Sequence, residues 1–194
     1  MVGMFPLLEK ALAEGPVIDK NGYPYFVNPI SDGIPRVEPA LLEEVVEGIL
    51  GIWDDDCDII LAPEAMGIPL ATAVSLRTGI PFTVIRKRSY GLQGELEIRT
   101  HTGYSESRMY LDCVSPGERA IVIDDVVSTG GTLSALSRAL SEAGVDLVCA
   151  LVVFNKSDDI GDVRARTGID IRTLVDVRIV GGRPVILRPH TLRF

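Results

Sequence analysis

The sequence has little histidine, little cysteine and no excess of positive charge. Its two histidines, His101 and His190, lie too far apart among 194 residues to suggest a histidine-rich metal site. Lysine and arginine number 19 against 27 aspartates and glutamates, which gives a net charge of −8. That balance argues against a protein that binds nucleic acid by neutralising phosphates. A local cluster of donors could still hold a small anion.

The three cysteines, Cys57, Cys113 and Cys149, are odd in number and none is close to another in sequence. We interpret them as small buried hydrophobes in a reducing compartment. None has the basic or helix-start neighbours that would activate a thiol as a nucleophile.

Long apolar runs and low-complexity tracts are missing too. The first 15 residues carry an early acid and no long apolar core, which predicts neither a signal peptide nor a membrane span. The length fits one domain. We therefore expect a single domain over residues 1–194 in the cytoplasm.

Strand-like and helix-like segments alternate, which is typical of an α/β fold with a parallel sheet. Residues 17–34 are turn-rich and predict irregular structure, and residues 86–112 are polar, with a loose hairpin. Helices are predicted at residues 5–14, 39–53, 67–77, 130–143 and 158–167. Strands are predicted at residues 58–62, 81–85, 119–124, 145–154 and 169–180, the last followed by an extended tail.

The most informative segment is residues 120–132, where a buried apolar strand ends in Asp124 and Asp125 and a turn of small residues opens a helix. Ligands of open parallel sheets bind beyond the carboxyl ends of the strands. The turn offers unpaired backbone N–H groups, glycines, hydroxyls and the positive end of a helix dipole. It is therefore a candidate phosphate site, formed by Ser128, Thr129, Gly130, Gly131 and Thr132.

The two acids should face another part of the same ligand, because a carboxylate beside a phosphate would repel it. Sugar hydroxyls, or a metal that bridges them, fit Asp124 and Asp125 best. A phosphate close to a vicinal diol describes a ribose 5-phosphate. The alternative reading is a helix-capping turn with two surface acids.

This segment resembles the motif with which type I phosphoribosyltransferases bind 5-phosphoribosyl-1-pyrophosphate (PRPP). The resemblance implies that Asp124 and Asp125 hold the ribose hydroxyls as catalytic residues and that residues 128–132 hold the 5-phosphate. It also implies Mg²⁺ as cofactor, carried by PRPP and possible at the two acids. The implied fold is a Rossmann-like parallel sheet with helices on both faces.

Two further segments match the family's pyrophosphate site. A tight turn between a strand and a helix resembles its pyrophosphate loop, although such turns are also common as plain connections. A basic run after the next strand could neutralise a pyrophosphate, or could be a solvated patch. The implied pyrophosphate residues are Glu64, Ala65, Met66, Gly67, Arg86, Lys87 and Arg88.

Residues 88–110 match in position the flexible loop that closes over the substrates in this family and excludes water. Adenine-specific members often carry a Glu-Tyr pair late in this loop. The matching dipeptide here is Gly103-Tyr104, which weakens an adenine interpretation.

Two segments are candidates for the base. Phe26 and Val27 could form an apolar platform, while Asn28 and Lys156 could bind the base edge. A lysine ammonium donates and never accepts, so Lys156 favours an exocyclic oxygen over the amino group of adenine. The alternatives are a core aromatic for Phe26 and a strand-end surface lysine for Lys156.

Nearly the whole chain resembles the archaeal hypoxanthine phosphoribosyltransferases, within the adenine and xanthine phosphoribosyltransferase group. The resemblance rests on residues 25–35, 64–69 and 86–91 together with the PRPP segment. It implies purine salvage, a hood built from residues 17–35 and the C-terminal tail, and a homodimer. The alternatives are an adenine, xanthine or orotate enzyme, or a PRPP-sensing regulator.

Overall fold

A computed structural model describes residues 4–20, 22–102 and 105–189 of the chain. Its centre is a six-stranded sheet in the order β10-β9-β8-β7-β3-β4, in which every neighbouring pair is parallel except β10 and β9. The predicted α/β fold with a parallel sheet is therefore confirmed. The strands are β3 (Ile59–Pro63), β4 (Phe82–Ile85), β7 (Arg119–Val127), β8 (Asp146–Asn155), β9 (Ile171–Val180) and β10 (Arg183–Pro189).

Helices cover both faces of this sheet because its central strands are apolar on both sides. In β7, Ile121 and Ile123 face one core, while Ala120 and Val122 face the other. The first core lies under α1 (Pro6–Glu14), α3 (Pro39–Ile52) and α4 (Gly67–Thr78); the second lies under α5 (Gly131–Glu142) and α6 (Ile160–Thr167). Within the described ranges, no helix combines the length and apolarity needed to cross a membrane.

The turn-rich segment after α1 is more regular than its sequence predicts. Strands β1 (Val17–Lys20) and β2 (Tyr23–Phe26) form an antiparallel hairpin, and α2 (Pro29–Asp32) follows it. The expectation of irregular structure over residues 17–34 was wrong, because the hairpin ends in Phe26, a side chain only 2% exposed that packs into the first core. Burial of this aromatic residue outweighs the turn signals around it.

The C-terminal segment is also more regular than predicted. Residues 169–180 were expected to hold the last strand, but after the turn at Gly181-Gly182 the chain forms β10 along the edge of the main sheet. Ile186 packs against the first core and accounts for this extra strand. The described part of the predicted tail is therefore a sheet strand.

Residues 86–112 contain the predicted hairpin, formed by β5 (Leu96–Thr102) and β6 (Ser105–Leu111). Ile98 and Leu111 are fully buried in the second core, beside α5. The body of the hairpin is therefore packed on the domain. Gly103-Tyr104 at its tip lies outside the described residues, and closure of the hairpin stays a prediction.

Candidate functional site

The candidate phosphate turn lies where β7 meets α5. Gly130 adopts a left-handed conformation with φ of 73°, and α5 begins at the next residue. Ser128, Thr129 and Thr132 are exposed around this turn. The chain therefore presents hydroxyls and the start of a 12-residue helix to solvent at the carboxyl edge of the sheet, as predicted.

Gly130 is fixed by packing as well as by its backbone conformation. A Cβ atom at this position would lie 2.4 Å from Cγ1 of Val163 in α6. Arg166 of the same helix donates from Nη2 to the carbonyl oxygen of Thr129 at 3.1 Å. Helix α6 thus supports the turn from beneath, and only glycine fits.

Asp124 and Asp125 lie three and two residues before the end of β7, and both are half-buried. Burial, followed by the charge of the neighbouring Asp125, raises the pKa of Asp124 well above its ordinary value. Burial is also the main cause that raises the pKa of Asp125, and the charge of Asp32 adds to it. Such a pair would gain from a cation or from hydroxyl donors supplied by a ligand.

The second predicted loop lies beside these acids. Glu64-Ala65 is a cis peptide bond, and Ala65 and Met66 lead into α4 at Gly67. A Cβ at Gly67 would lie 2.8 Å from the carbonyl oxygen of Ile123, so the loop packs directly against β7 just before the acidic pair. The fold therefore brings the two predicted phosphate loops together.

The basic run does not act as one cluster. The half-buried guanidinium of Arg86 is hydrogen bonded to Asp112 and lies 3.6 Å from Glu95. Lys87 and Arg88 are exposed; the backbone N–H of Lys87 donates to Glu64 Oε1 at 2.7 Å, and Arg88 donates to the Tyr90 hydroxyl at 2.7 Å. The structure thus commits Arg86 to internal partners and leaves the other two cations at the surface.

A pocket of about 320 Å³ joins the acidic pair to the candidate base residues. Its lining comprises Tyr25, Phe26, Ser31, Asp125, Val126, Ser128 and Lys156. Phe26 and Lys156, far apart in sequence, therefore meet beside Asp125 and the phosphate turn. Lys156 Nζ lies 4.8 Å from the centroid of each ring, Tyr25 and Phe26.

Val27 and Asn28 are not among the lining residues of this pocket. Val27 contacts a larger cavity that is also lined by residues of α1 and of the start of α3. Asn28 is fully buried and caps α2, since its Oδ1 accepts from the backbone N–H of Ile30 at 2.9 Å. Its Nδ2 has no partner among the described residues, so it has a donor to spare.

Sequence reasoning placed Tyr25 in a candidate base segment without giving it a role, and it missed Ser31, which lines the pocket, and Asp32, which binds both of these side chains. The Tyr25 hydroxyl donates to Asp32 Oδ1 at 2.7 Å, and the Ser31 hydroxyl donates to Asp32 Oδ2 at 2.7 Å. The short spacing from Tyr25 to Asp32 was the available signal. It gains meaning only once a hairpin followed by one helical turn is known to bring the two side chains together.

The cysteines follow the expectation in part. Burial raises the pKa of Cys57 to about 11 and that of Cys149 to about 12, so neither thiol ionises readily. Cys113 is exposed and not buried as expected, because it lies in the connection after β6 with a left-handed φ of 64°.

Comparisons with known proteins agree with this geometry. A family model described as "Phosphoribosyl transferase domain" matches residues 40–180. A hypoxanthine/guanine phosphoribosyltransferase of Methanothermobacter thermautotrophicus is 50% identical over 180 residues, which cover 93% of each chain. One of Methanobacterium paludis is 48% identical over 183 residues, covering 94% of this chain and 96% of that protein.

Among solved structures, an adenine phosphoribosyltransferase from Thermoanaerobacter pseudethanolicus superposes with a TM-score of 0.72 over 89% of this chain and 99% of that one. At 22% identity this likeness shows the shared fold alone. The family model and the archaeal relatives show more, since they match the sequence itself along most of its length. The chain belongs to the phosphoribosyltransferase family.

Proposed function

We propose that this protein transfers the 5-phosphoribosyl group of PRPP to a 6-oxopurine, hypoxanthine or guanine, and releases pyrophosphate. The observation that carries the proposal is that one pocket brings Lys156 and the rings of Tyr25 and Phe26 beside Asp125 and Ser128. The names of the archaeal relatives point to the same bases. The products would be IMP or GMP, which places the chain in purine salvage.

The ligand groups are assigned by chemistry. The 5-phosphate is held by the turn at residues 128–132, of which Ser128, Thr129, Gly131 and Thr132 are exposed at the start of α5. The ribose hydroxyls donate to Asp124 and Asp125. The raised pKa values of these two carboxyls reflect their burial and the charge of neighbouring acids. The pyrophosphate lies between the Glu64–Gly67 loop and the exposed Lys87 and Arg88.

The residues of the chain fit a Mg²⁺ ion that arrives with PRPP. Among the described residues, no three carboxylate, histidine or cysteine side chains gather into a metal site. The carboxylates of Asp124 and Asp125 are nevertheless oxygen ligands of the kind that Mg²⁺ prefers, and this ion usually keeps phosphate and water ligands too. When bound, Mg²⁺ would neutralise charge on the departing pyrophosphate.

Catalysis then depends mainly on holding two reactants in line. The bond from the anomeric carbon to pyrophosphate breaks with its electron pair on the leaving group, and a purine ring nitrogen attacks from the opposite face. The proton of that nitrogen leaves to solvent or to the released pyrophosphate. Asp124 and Asp125 orient the sugar and stabilise positive charge that grows on it. Lys156 donates to the exocyclic oxygen of the base, and the ring of Phe26 contributes an apolar surface.

Product formation from PRPP with each base separately tests the proposal. The purified protein receives Mg²⁺ and hypoxanthine, guanine, xanthine or adenine, with orotate and uracil as controls. We expect nucleotide from hypoxanthine or guanine and none after chelation of Mg²⁺. Product from adenine alone would refute the role of Lys156, and PRPP binding without any product would favour a PRPP-sensing regulator.

A substitution at the acidic pair separates catalysis from folding. Asp125→Asn should lower turnover by about 100-fold or more, because a neutral amide no longer stabilises the developing charge. Its circular dichroism spectrum should match that of the wild type. Full activity in this variant would remove Asp125 from the mechanism.

We further propose a cytoplasmic homodimer with a hood formed by residues 17–35 over the strand ends. The position of α2 beside the pocket supports the hood, since Ser31 lines the same cavity as Asp125. The dimer follows from the family resemblance. Light scattering on the eluting protein would measure it, and a mass near 21 kDa would contradict it.

A further inference from the structure

Tyr25 lies at the centre of a group of charged side chains at the edge of the pocket. Its hydroxyl donates to Asp32 Oδ1 at 2.7 Å. Two ammonium groups lie over its ring, Lys20 Nζ at 3.5 Å and Lys156 Nζ at 4.8 Å from the centroid. A phenol that donates to a carboxylate has a more electron-rich ring, which strengthens its attraction for cations.

Asp32 is itself held in place by its surroundings. Its second carboxylate oxygen accepts from the Ser31 hydroxyl at 2.7 Å and from the backbone N–H of Asn28 at 3.0 Å. Helix α2 begins after Asn28, which also caps it through its side chain. The carboxylate that anchors the Tyr25 hydroxyl is therefore fixed by two other donors on the same short segment.

Lys156 needs such support more than most residues of the pocket. A lysine side chain has four rotatable bonds, and ordering it when a ligand binds costs conformational entropy. Its Nζ lies at 4.8 Å from both Tyr25 and Phe26, whose rings are nearly parallel at an interplanar angle of 16°. The aromatic pair holds the ammonium group over the pocket before any base arrives.

We propose that Tyr25 and Asp32 are positioning residues for Lys156: Asp32 fixes the Tyr25 ring, and the ring fixes the ammonium group that selects a 6-oxopurine. In its reference to the base, this inference rests on the proposed function. Neither residue touches the base in this scheme. Their effect on the reaction passes through Lys156, which distinguishes it from a general contribution to the stability of the hairpin.

Steady-state kinetics with hypoxanthine and PRPP measure this effect. In Tyr25→Phe the ring remains and only its anchor is lost, so the KM for hypoxanthine should rise about three- to tenfold while the KM for PRPP stays the same. Asp32→Asn should act in the same direction. Asp19→Asn, which alters one carboxylate contact to Gly22 in the same hairpin, is the matched control and should change neither constant.

A double-mutant cycle separates positioning from mere structure. In a Lys156→Met background, Tyr25→Phe should have no further effect on the KM for hypoxanthine, because the group that it positions is already gone. An effect of Tyr25→Phe that adds in full to that of Lys156→Met would overturn the proposal. So would an equal rise of both KM values in Tyr25→Phe.

A second measurement does not depend on activity. Reductive ¹³C-methylation keeps the charge of lysines and gives each an NMR signal; the Lys156 signal is identified by its loss in Lys156→Met. We expect a ring-current shift of this signal that becomes smaller in Tyr25→Leu, in which only the Phe26 ring remains beside the ammonium group. A shifted signal in a protein that does not use hypoxanthine would retain the positioning pair and refute the proposed substrate, whereas an unshifted signal would refute the pair itself.

Discussion

The two sides of the pocket are built in different ways. The side proposed to bind phosphate, called the phosphate side below, is one continuous stretch, residues 124–132, at the end of β7 and the start of α5. The side proposed to bind the base, called the base side below, consists of Tyr25, Phe26 and Ser31 together with Lys156, which directly follows β8 and lies more than 120 positions later in the sequence. The first depends mostly on backbone conformation, and the second on contacts between distant side chains.

This difference predicts which substitutions should damage each side. A backbone cradle requires residues that permit one conformation, so the phosphate side should fail when a glycine gains a side chain. A cluster of side chains requires each member to hold the next, so the base side should fail gradually. Substitutions on the two sides should accordingly differ in the size of their effect and in which substrate they affect.

Among substitutions outside the acidic pair, Gly130→Ala should have the largest effect. The new Cβ would lie 2.4 Å from Val163 Cγ1, so the turn or α6 must move. A displacement of this size can lower kcat/KM for PRPP about 100-fold. Isothermal titration with PRPP and Mg²⁺ would show whether the loss lies in binding.

Gly168→Ala is the control for backbone strain. Gly168 has nearly the same φ, 69°, but no atom lies within 4 Å of a Cβ built there. It should therefore cost only about 1 kcal/mol of stability and leave kcat/KM unchanged. Equal kinetic losses in the two variants would show that contact with α6 does not shape the turn.

Arg86→Gln should destabilise the fold more than it affects the ligand. The variant leaves Asp112, which is 5% exposed, without its guanidinium partner, and also removes a cation near Glu95. The loss should be about 2 kcal/mol, seen as a Tm lowered by about 4–8 °C. Arg88→Gln, at an exposed position, should keep the wild-type Tm and instead weaken pyrophosphate binding. The reverse pattern would assign Arg86 to the ligand.

Lys156→Met should affect the base side alone. Loss of the ammonium donor should lower kcat/KM for hypoxanthine about tenfold, with the KM for PRPP unchanged. Lys20→Met also removes an ammonium group that lies over the Tyr25 ring, but Lys20 does not line the pocket. The loss of kcat/KM for hypoxanthine should therefore be much smaller. If both variants lose hypoxanthine activity equally, the activity depends on the net charge near the Tyr25 ring and not on a hydrogen bond donated by Lys156.

The sequence predicted the strand, turn and helix start of residues 120–132 well because that pattern is local. A buried strand, two acids and a glycine turn at fixed spacing can be recognised without any knowledge of the rest of the chain. Residues 64–67 were recognisable for the same reason, and their packing against Ile123 follows from the parallel pairing of β3 with β7. Apart from β1, β2, α2 and β10, the order of helices and strands was likewise readable from the alternation of apolar residues.

The remaining features depend on contacts that no local pattern encodes. The three basic residues at 86–88 look equivalent in sequence. The structure nevertheless pairs Arg86 with Asp112, which directly follows β6. Asn28 was predicted at the base edge, but the helix that follows it uses its side chain as a cap. Strand β10 was missed because its glycine turn and two prolines resemble a tail.

The smallest expected effect concerns the acidic pair and the pH dependence of stability. Burial and the charge of Asp125 raise the pKa of folded Asp124 above its unfolded value of 3.8, so the folded state binds the proton more tightly. Below pH 3.8 both states are protonated and the pair costs nothing. As the pH rises, the unfolded chain gains from ionisation first, and the cost is complete only above the folded pKa.

Asp124→Asn should therefore raise the Tm by about 2–4 °C at pH 7.5, on the order of 1 kcal/mol, and by much less near pH 4. The amide oxygen can still accept from the backbone N–H of Asp125, so the local hydrogen bond survives. Glu95→Gln should show the opposite sign. A hydrogen bond from Ser89 and the backbone N–H groups of Tyr90 and Gly91 lower the pKa of Glu95, so its contribution is present at neutral pH and lost on acidification.

Differential scanning calorimetry of both variants from pH 4 to pH 8 measures the two trends. A stability gain in Asp124→Asn that grows with pH, together with lost activity, would mean that the phosphate side keeps an unfavourable pair of acids for the sake of its ligand. A stability gain that is the same at every pH would show that ionisation of the two carboxylates does not destabilise the fold. A bound ribose would then offset no electrostatic cost at this pair.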